Sequence, residues 1–265
     1  MRKFDTMQFN IEDDWFEYDS LIDLWLPMRL QLKNTNTAIP VLKDPATGTN
    51  IQILLKKIKP NVIIETGTHR AGSAKFFVDE LSEIHVPNKN YLVITLDIIK
   101  SYKDQLSTMD GKPYPKGCWY NILQEEDNFD NIKFVTVDSS KLQALYLVKS
   151  ILKRNFQSSE DYNILVSLDA DHTCEHVFKE LMLYSTLIKP GGYIVVEDTI
   201  EVWFAGAKVE IQGYNIGGPL AAVIKFLRDT PEGMNFDIAN DDFELVRNED
   251  GRCHNFPYGL LKRIS

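Results

Sequence analysis

The stretch from Asn61 to Ser73 constrains the fold of this 265-residue chain more than any other part of the sequence. Apolar residues of strand character, Val62 to Ile64, lead through an acid and a glycine-containing turn into a helix-forming segment. An α/β sheet holds nucleotide-type ligands with this order of elements. The dinucleotide fingerprint Gly-x-Gly-x-x-Gly is absent, because His69 stands two residues after Gly67. The spacing therefore argues against a nicotinamide dehydrogenase.

The spacing of Glu65, Gly67 and Gly72 resembles the S-adenosylmethionine site of class I methyltransferases. On this interpretation Glu65 faces the positive amino-acid part of the ligand, and Gly67 lets the backbone approach closely. Thr68 and Ser73, in the same stretch, complete the predicted cofactor contacts. The alternative is a strand, a turn and a helix whose glycines serve geometry alone, since a single motif is a weak signal.

Two further predicted strands end on polar side chains. Tyr91 to Leu96 is followed by Asp97, and Phe134 to Val137 by Asp138 and Ser139. An acid at the tip of the strand after the glycine turn accepts the hydroxyls of a ribose, although strand ends in solvent are also often acidic. The second pair either contacts the adenine or caps a helix, and both interpretations stay open.

Three acids follow the next two predicted strands. Asn163 to Leu168 is followed by Asp169, and Tyr193 to Val196 by Glu197 and Asp198. Because the carboxyl ends of parallel strands meet at one edge of a sheet, we expect these side chains to converge. An oxygen-rich site favours Mg²⁺ over zinc or copper. The alternative is a set of ordinary strand-end acids, but such a cluster is unfavourable without a cation.

His172 lies three residues beyond Asp169 and is expected to face the same edge. An unperturbed histidine pKa of about 6.5 leaves the ring neutral and basic at cellular pH. We therefore predict that His172 and Asp169 are catalytic, with His172 as general base. A structural histidine is the alternative.

Composition restricts the partners. The formal net charge of −9 argues against nucleic acid and anionic membranes, so a small molecule is expected. No apolar run approaches the ~20 residues of a membrane span, and the N-terminus does not resemble a signal peptide. The three cysteines lack paired zinc spacing and predict reduced thiols in a cytoplasmic protein.

Five blocks of sequence resemble the cephalosporin hydroxylase-like and rhamnosyl O-methyltransferase family of class I methyltransferases. They are Lys59–Thr68, Leu168–Thr173, Lys189–Thr199, Gly218–Val223 and Phe256–Arg263. The resemblance covers most of the chain and implies a Rossmann-like α/β fold with helices on both faces of the sheet. That sheet would be mostly parallel and seven-stranded, with an antiparallel strand near the C-terminus.

The resemblance also implies S-adenosylmethionine as donor and an O-linked acceptor. A divalent cation, Mg²⁺ or another hard ion, is implied on the matching Asp169, Glu197 and Asp198. The arrangement is similar to that of catechol-type O-methyltransferases, in which a catalytic lysine follows the first metal aspartate by three residues. His172 occupies that offset here.

One residue departs from the family pattern. Ala71 stands where the family usually has glycine, and alanine is tolerated there if its backbone φ is negative. The two-histidine, one-carboxylate set of a redox iron is not visible in these motifs, so hydroxylation is not expected.

We divide the chain into an N-terminal cap, residues 1–48, and a methyltransferase domain, residues 49–265. The aromatic-rich cap could instead form part of the acceptor pocket. Asn50 is the predicted N-cap of the first helix of the domain. The segments 100–131 and 203–218 are predicted loops, and the second is a lid over the acceptor or a contact in the homo-oligomer that we expect.

The predicted function is Mg²⁺-dependent methyl transfer from S-adenosylmethionine to a sugar hydroxyl. The sugar would be a deoxysugar of a polysaccharide or of a natural-product glycoside. A small non-sugar metabolite is the next choice of acceptor. An alternative from another class is a non-catalytic docking protein that keeps the cofactor site.

Overall fold

The structure is a computed structural model. It describes residues 28–31, 38–41, 43, 45–69, 71–85, 90–98, 129–199, 206–211, 214–239, 242–243, 256 and 258–265. The aromatic segment before residue 28 and most of the predicted loop 100–131 lie outside these residues. The same holds for Cys118 and Cys253, whereas Cys174 is a buried free thiol. The division between residues 48 and 49 stays a prediction.

The described strands and helices alternate along much of the chain. The strands are β1 (Met28–Gln31), β2 (Ala38–Val41), β3 (Val62–Thr66), β4 (Leu92–Asp97), β5 (Ile132–Thr136), β6 (Ile164–Leu168), β7 (Tyr193–Val196), β8 (Val209–Ile211), β9 (Tyr214–Ile216), β10 (Phe236–Ile238) and β11 (Leu260–Arg263). The α-helices are α1 (Pro45–Ile58), α2 (Gly72–Ile84), α3 (Leu142–Asn155), α4 (Cys174–Tyr184) and α5 (Gly218–Asp229). Short 3₁₀ turns lie at Phe129–Asn131, Ser159–Asp161, Ser185–Leu187 and Gly233–Asn235.

Seven of the described strands form one sheet in the order β10–β11–β7–β6–β3–β4–β5. The five strands from β7 to β5 are parallel to one another. At the β7 side of the sheet, β11 pairs antiparallel with β7, and β10 pairs antiparallel with β11. The predicted Rossmann-like fold, with its mostly parallel sheet and antiparallel C-terminal part, is confirmed.

Both faces of the sheet are covered, which explains why its central strands are apolar without interruption. In β3, Val62 and Ile64 pack into a cluster with apolar residues of α3, α4 and α5. Ile63, between them, faces the opposite side and packs with α1 and α2. Successive side chains of a strand point to opposite faces, so one short apolar run builds two cores.

Helix α1 begins at Pro45 and not after Asn50. Proline is favoured in the first turn of a helix because the N–H that it lacks would have no partner there. Asn50 is buried inside this helix, so its prediction as the N-cap is wrong.

The predicted loop 203–218 contains regular structure where it is described. Strands β8 and β9 form an antiparallel pair in which Val209 lies opposite Ile216. Both side chains are buried against the cluster that contains α5. The hairpin is therefore packed on the domain, and its role as a lid or an oligomer contact stays a prediction.

None of the described helices is long and apolar enough to span a membrane.

The order of the strands fixes where a ligand binds. From β3 the chain runs outward to β4 and β5, and it then returns to β6 on the other side of β3. In open α/β sheets, ligands bind outside the carboxyl ends of the strands where the order reverses in this way. Gly67 and Asp169, which follow β3 and β6, mark that position.

Candidate active site

Gly67 brings the turn after β3 into direct contact with the end of β6. Its φ of 85° lies in the left-handed region, and its N–H donates a 2.8 Å hydrogen bond to the carbonyl of Leu96. A Cβ added at this residue would lie 1.8 Å from the carbonyl oxygen of Asp169. Only glycine fits such a close approach of two backbone segments.

Glu65 is fully buried inside β3. Its Oε2 accepts a 2.6 Å hydrogen bond from Thr95 Oγ1, which in turn lies 2.7 Å from Thr68 Oγ1. Its Oε1 has no hydrogen-bond partner within the described part of the chain. Burial raises the pKa of the Glu65 carboxyl to about 8, and hydrogen bonds from Ser73 and Thr95 offset this only in part. A buried carboxylate oxygen without a partner suits a cationic N–H donor of a ligand.

Asp97 ends β4 beside this turn, as the sequence predicted. Its Oδ2 accepts a 2.9 Å hydrogen bond from the backbone N–H of His69. Gly72, the first residue of α2, is buried a few residues further along. The structure therefore brings the predicted cofactor residues of β3, α2 and β4 to one edge of the sheet.

Asp138 and Ser139 make contacts within the protein. Asp138 Oδ1 accepts hydrogen bonds from the backbone N–H and the Oγ of Ser140, at 3.0 and 2.7 Å. Burial would raise the pKa of the Asp138 carboxyl, but the bonds from Ser140 lower it below its usual value. Ser139 is buried, with its Oγ 3.1 Å from His176 Nε2. Asp138 thus stabilises the turn before α3, and the adenine contact of both residues stays a prediction.

Three non-glycine residues around the site have left-handed backbone conformations. The values of φ are 42° at His69, 59° at Ala71 and 53° at Asp198. The condition under which alanine would be tolerated at residue 71, a negative φ, is therefore not met. The cause is local, since Ala71 is the residue before α2 and its N–H turns back to the carbonyl of Thr68 at 2.6 Å. Such conformations cost of order 1 kcal/mol each and cluster at functional sites.

Asp169, His172 and Asp198 form one cluster at the carboxyl ends of β6 and β7. His172 Nε2 lies 3.2 Å from Asp198 Oδ2 and 3.7 Å from Asp169 Oδ1. One ligand atom from each residue falls within 4.8 Å of the others, a spacing that could hold a metal ion. All three side chains are partly exposed, so a ligand can reach them.

The Glu197 carboxylate points into the protein. Its Oε1 accepts a 2.6 Å hydrogen bond from Ser167 Oγ, and its Oε2 is ion-paired with the ammonium group of Lys43. The same ammonium lies 3.0 Å from Asp169 Oδ2. Lys43 is only 1% exposed, so this ion pair is buried. A metal-binding role for Glu197 stays a prediction.

The charges of this buried group depend on one another. Burial alone would lower the pKa of Lys43, but Asp169 and Glu197 raise it well above its usual value. Burial alone would raise the pKa of Asp169, but Lys43 and His172 lower it to about 2. Burial raises the pKa of Glu197 despite its pairing with Lys43. At neutral pH Lys43 is therefore cationic and Asp169 anionic.

Sequence reasoning missed Lys43. It lies between β2 and α1, 126 residues before Asp169, in the segment interpreted as a cap. A single lysine in a polar stretch has no local pattern that distinguishes it from a solvated side chain. Thr95 and Ser167, the hydroxyl partners of Glu65 and Glu197, were missed for the same reason.

A family model described as Rhamnosyl O-methyltransferase/CmcI matches residues 30–117 and 120–255 of the chain. The chain is 26% identical to a rhamnosyl O-methyltransferase of Mycobacterium leprae (strain TN) over 215 residues, which cover 78% of this chain and 77% of the relative. It is 29% identical to the Mycobacterium tuberculosis (strain ATCC 25618 / H37Rv) protein of the same name over 167 residues. That match covers 63% of this chain and 57% of the relative.

Solved structures of CmcI share the fold. The apo structure of CmcI matches the whole of both chains with a TM-score of 0.53 at 15% sequence identity. A CmcI structure with Mg and S-adenosylmethionine gives a TM-score of 0.50 at 15% identity, again over both whole chains.

Replacing Ala71 by glycine is expected to change stability little. The substitution removes the strain of a left-handed alanine, about 1–2 kcal/mol, while glycine adds unfolded-state entropy worth about 0.5–1 kcal/mol. It also removes a methyl group that is buried in the core, at a cost of about 0.8 kcal/mol. The expected net change in the free energy of unfolding is within about 0.5 kcal/mol of zero, measured by urea titration. Ala74→Gly, equally buried but inside α2, is the matched control and should lose about 1 kcal/mol or more. Equal losses in the two variants would contradict the strain at Ala71.

Stability should fall between about pH 5 and about pH 8 because of Glu65. In this range the folded protein keeps a proton on Glu65, whose pKa is about 8, whereas the unfolded chain has released it. The folded state binds more protons, so the free energy of unfolding falls as pH rises, by about 1.4 kcal/mol per pH unit at most. Urea titrations across this range should show a steeper slope in the wild type than in Glu65→Gln, which keeps only the smaller slope from other groups such as Glu197, whose pKa is also raised. Parallel curves for the two proteins would refute the raised pKa.

Proposed function

The chain belongs to the Rhamnosyl O-methyltransferase/CmcI family, and we propose that it transfers the methyl group of S-adenosylmethionine to a hydroxyl group of a deoxysugar. Family membership makes it an S-adenosylmethionine-dependent O-methyltransferase. The individual acceptor and the roles of single residues are the proposal. One observation carries it, namely that Asp169, His172 and Asp198 converge beside the glycine turn at the reversal of strand order.

Glu65, Gly67 and Asp97 are proposed to hold the donor. The Oε1 of Glu65, which has no partner in the described structure, would accept a hydrogen bond from the ammonium group of the methionine part. A ligand ammonium would return Glu65 to its anionic form, because an opposite charge lowers the pKa of a buried carboxyl. Asp97 lies at the next strand end, where an acid accepts the ribose hydroxyls. Thr68, Gly72 and Ser73 would line the same turn.

Asp169, Glu197 and Asp198 are the proposed ligands of Mg²⁺. Their oxygens fit a hard divalent cation better than the imidazole of His172 does. Among solved relatives, CmcI has been crystallised with Mg and S-adenosylmethionine. When bound, such an ion lowers the pKa of an acceptor hydroxyl and stabilises its negative charge.

His172 is the proposed general base that removes the proton of the acceptor hydroxyl. Its Nε2 is the ring atom that faces Asp169 and Asp198, at 3.7 and 3.2 Å. After it has accepted the proton of the acceptor hydroxyl, the imidazolium is stabilised by these two carboxylates. The turn at Gly67 and the end of β6 hold the donor and the acceptor next to each other, so part of the rate comes from positioning.

A sugar acceptor is supported by two relatives of the chain that are named rhamnosyl O-methyltransferases. The formal net charge of −9 argues against a polyanionic acceptor. A small phenolic metabolite is the second candidate, because His172 stands at the offset of the catalytic lysine of catechol-type enzymes. A non-catalytic docking protein is the third.

Asp169→Asn is expected to lose methyl transfer while still binding the donor. The substitution removes a charge from the proposed metal site and from the partner of His172, so kcat should fall by about 100-fold or more. Calorimetry should give a dissociation constant for S-adenosylmethionine within about three-fold of the wild-type value. Asp171→Asn is the matched control, since Asp171 is exposed and its described hydrogen bonds come from the backbone and the side chain of Thr173. Full activity of Asp169→Asn without added metal would refute the proposed site.

The acceptor class is tested with a panel of hydroxyl compounds. Rhamnosides and other deoxysugar glycosides should be methylated with Mg²⁺ present, and a catechol should react at least about ten-fold more slowly. Radioactive methyl transfer from S-adenosylmethionine is the measurement, and a chelator should abolish it. Faster reaction of the catechol would favour the second candidate. Binding of S-adenosylmethionine without transfer to any compound would favour the docking protein.

A further inference from the structure

The proposed metal site already contains a buried positive charge, the ammonium group of Lys43. The Lys43 ammonium donates hydrogen bonds to Asp169 Oδ2, at 3.0 Å, and to Glu197 Oε2. The side chain is 1% exposed, so it does not reach these oxygens from solvent but lies inside the fold. Two of the three carboxylates proposed to bind Mg²⁺ are therefore already paired with a positive charge.

At least three of the four oxygen atoms of these two carboxylates already accept a hydrogen bond. One oxygen of Glu197 accepts a hydrogen bond from Ser167, and the other is ion-paired with Lys43. Asp169 has one oxygen on Lys43 and the other 3.7 Å from His172. An ion that bound Asp169 Oδ2 and Glu197 Oε2 would lie where the ammonium group now lies.

The charges of these groups also favour replacement of the ammonium group by the metal ion over binding of both cations together. Asp169, Glu197 and Asp198 together have a charge of −3 when ionised, and the ammonium group offsets one unit of it. A divalent ion offsets two units, but an ammonium group a few ångströms away in a poorly solvated site would repel it strongly. One cation or the other is expected between the carboxylates, and not both.

We propose that the Lys43 ammonium and the divalent cation compete for Asp169 and Glu197, so that metal binding displaces Lys43 from its buried position. This inference rests on the metal site of the proposed function. Lys43 lies just before α1, and its flexible four-carbon stem allows the ammonium group to move away without unfolding the helix. In the metal-free protein the lysine keeps the two carboxylates compensated, and metal binding is coupled to the segment that joins β2 to α1.

Amine labelling of the wild-type protein tests the displacement directly. Acetic anhydride labelling, quantified by mass spectrometry, should modify Lys43 at least about ten-fold faster in Mg²⁺ than in chelator, because only an unpaired and accessible amine reacts. Lys75 is the internal control, since its side chain is 4% exposed and ion-paired at 2.6 Å with Asp79 on α2. Its labelling should not depend on Mg²⁺. A Lys43 that stays protected while calorimetry shows Mg²⁺ binding would overturn the competition.

A pair of variants measures the same competition as an affinity. Lys43→Met should bind Mg²⁺ at least about ten-fold more tightly than the wild type in calorimetry, because the competing cation is gone. Lys75→Met, the matched control, should keep the wild-type affinity. Circular dichroism checks that both variants fold, and if Lys43→Met does not fold, the labelling experiment decides.

The outcomes separate this inference from the proposed function. Binding of Mg²⁺ by Lys43→Met but not by the wild type would support the competition in its strongest form. Equal affinities in the wild type and Lys43→Met would overturn the competition while leaving Mg²⁺ binding by the protein intact. Absence of Mg²⁺ binding in both proteins would overturn the metal site and the competition together.

Discussion

The site depends on the contact between two backbone segments, the turn at Gly67 and the carbonyl of Asp169. The parallel pairing of β3 with β6 sets their separation, and a single Cβ at Gly67 would lie 1.8 Å from that carbonyl oxygen. Because the two strand ends are so close, the buried Glu65 and the acids that follow β6 and β7 belong to one site. Donor and acceptor chemistry can then meet at the point where the order of the strands reverses.

The same site contains charges that the fold must compensate. Asp169 and Glu197 are paired with Lys43, and removal of one partner from a buried ion pair typically costs roughly 3–5 kcal/mol. Stability in the metal-free state and the chemistry of the site therefore involve the same side chains. Glu65 avoids the cost of a buried charge differently, because its raised pKa of about 8 leaves it neutral at pH 7 until a cationic ligand arrives.

Three of the five described non-glycine residues with positive φ lie where the ligands are proposed to bind. His69, Ala71 and Asp198 all have positive φ, and each follows a strand of the central sheet closely. A buried strand determines where each of these turns begins, and helix α2 follows the first of them, so the strained conformations persist. Glycine at residue 71 would relieve part of this strain, but it would also make the turn before α2 more flexible.

The sequence by itself determined the fold and the edge of the sheet that forms the site. Apolar runs such as Val62 to Ile64, each ending in an acid or a glycine, are local patterns, and parallel strands necessarily bring their carboxyl ends together. Hence Asp169 and Asp198 could be placed beside each other without coordinates. The tertiary structure alone decided that Lys43 pairs with Asp169 and that Ala71 has a positive φ. Such features depend on packing between residues that are distant in the chain, and local periodicity and spacing contain no information about that packing.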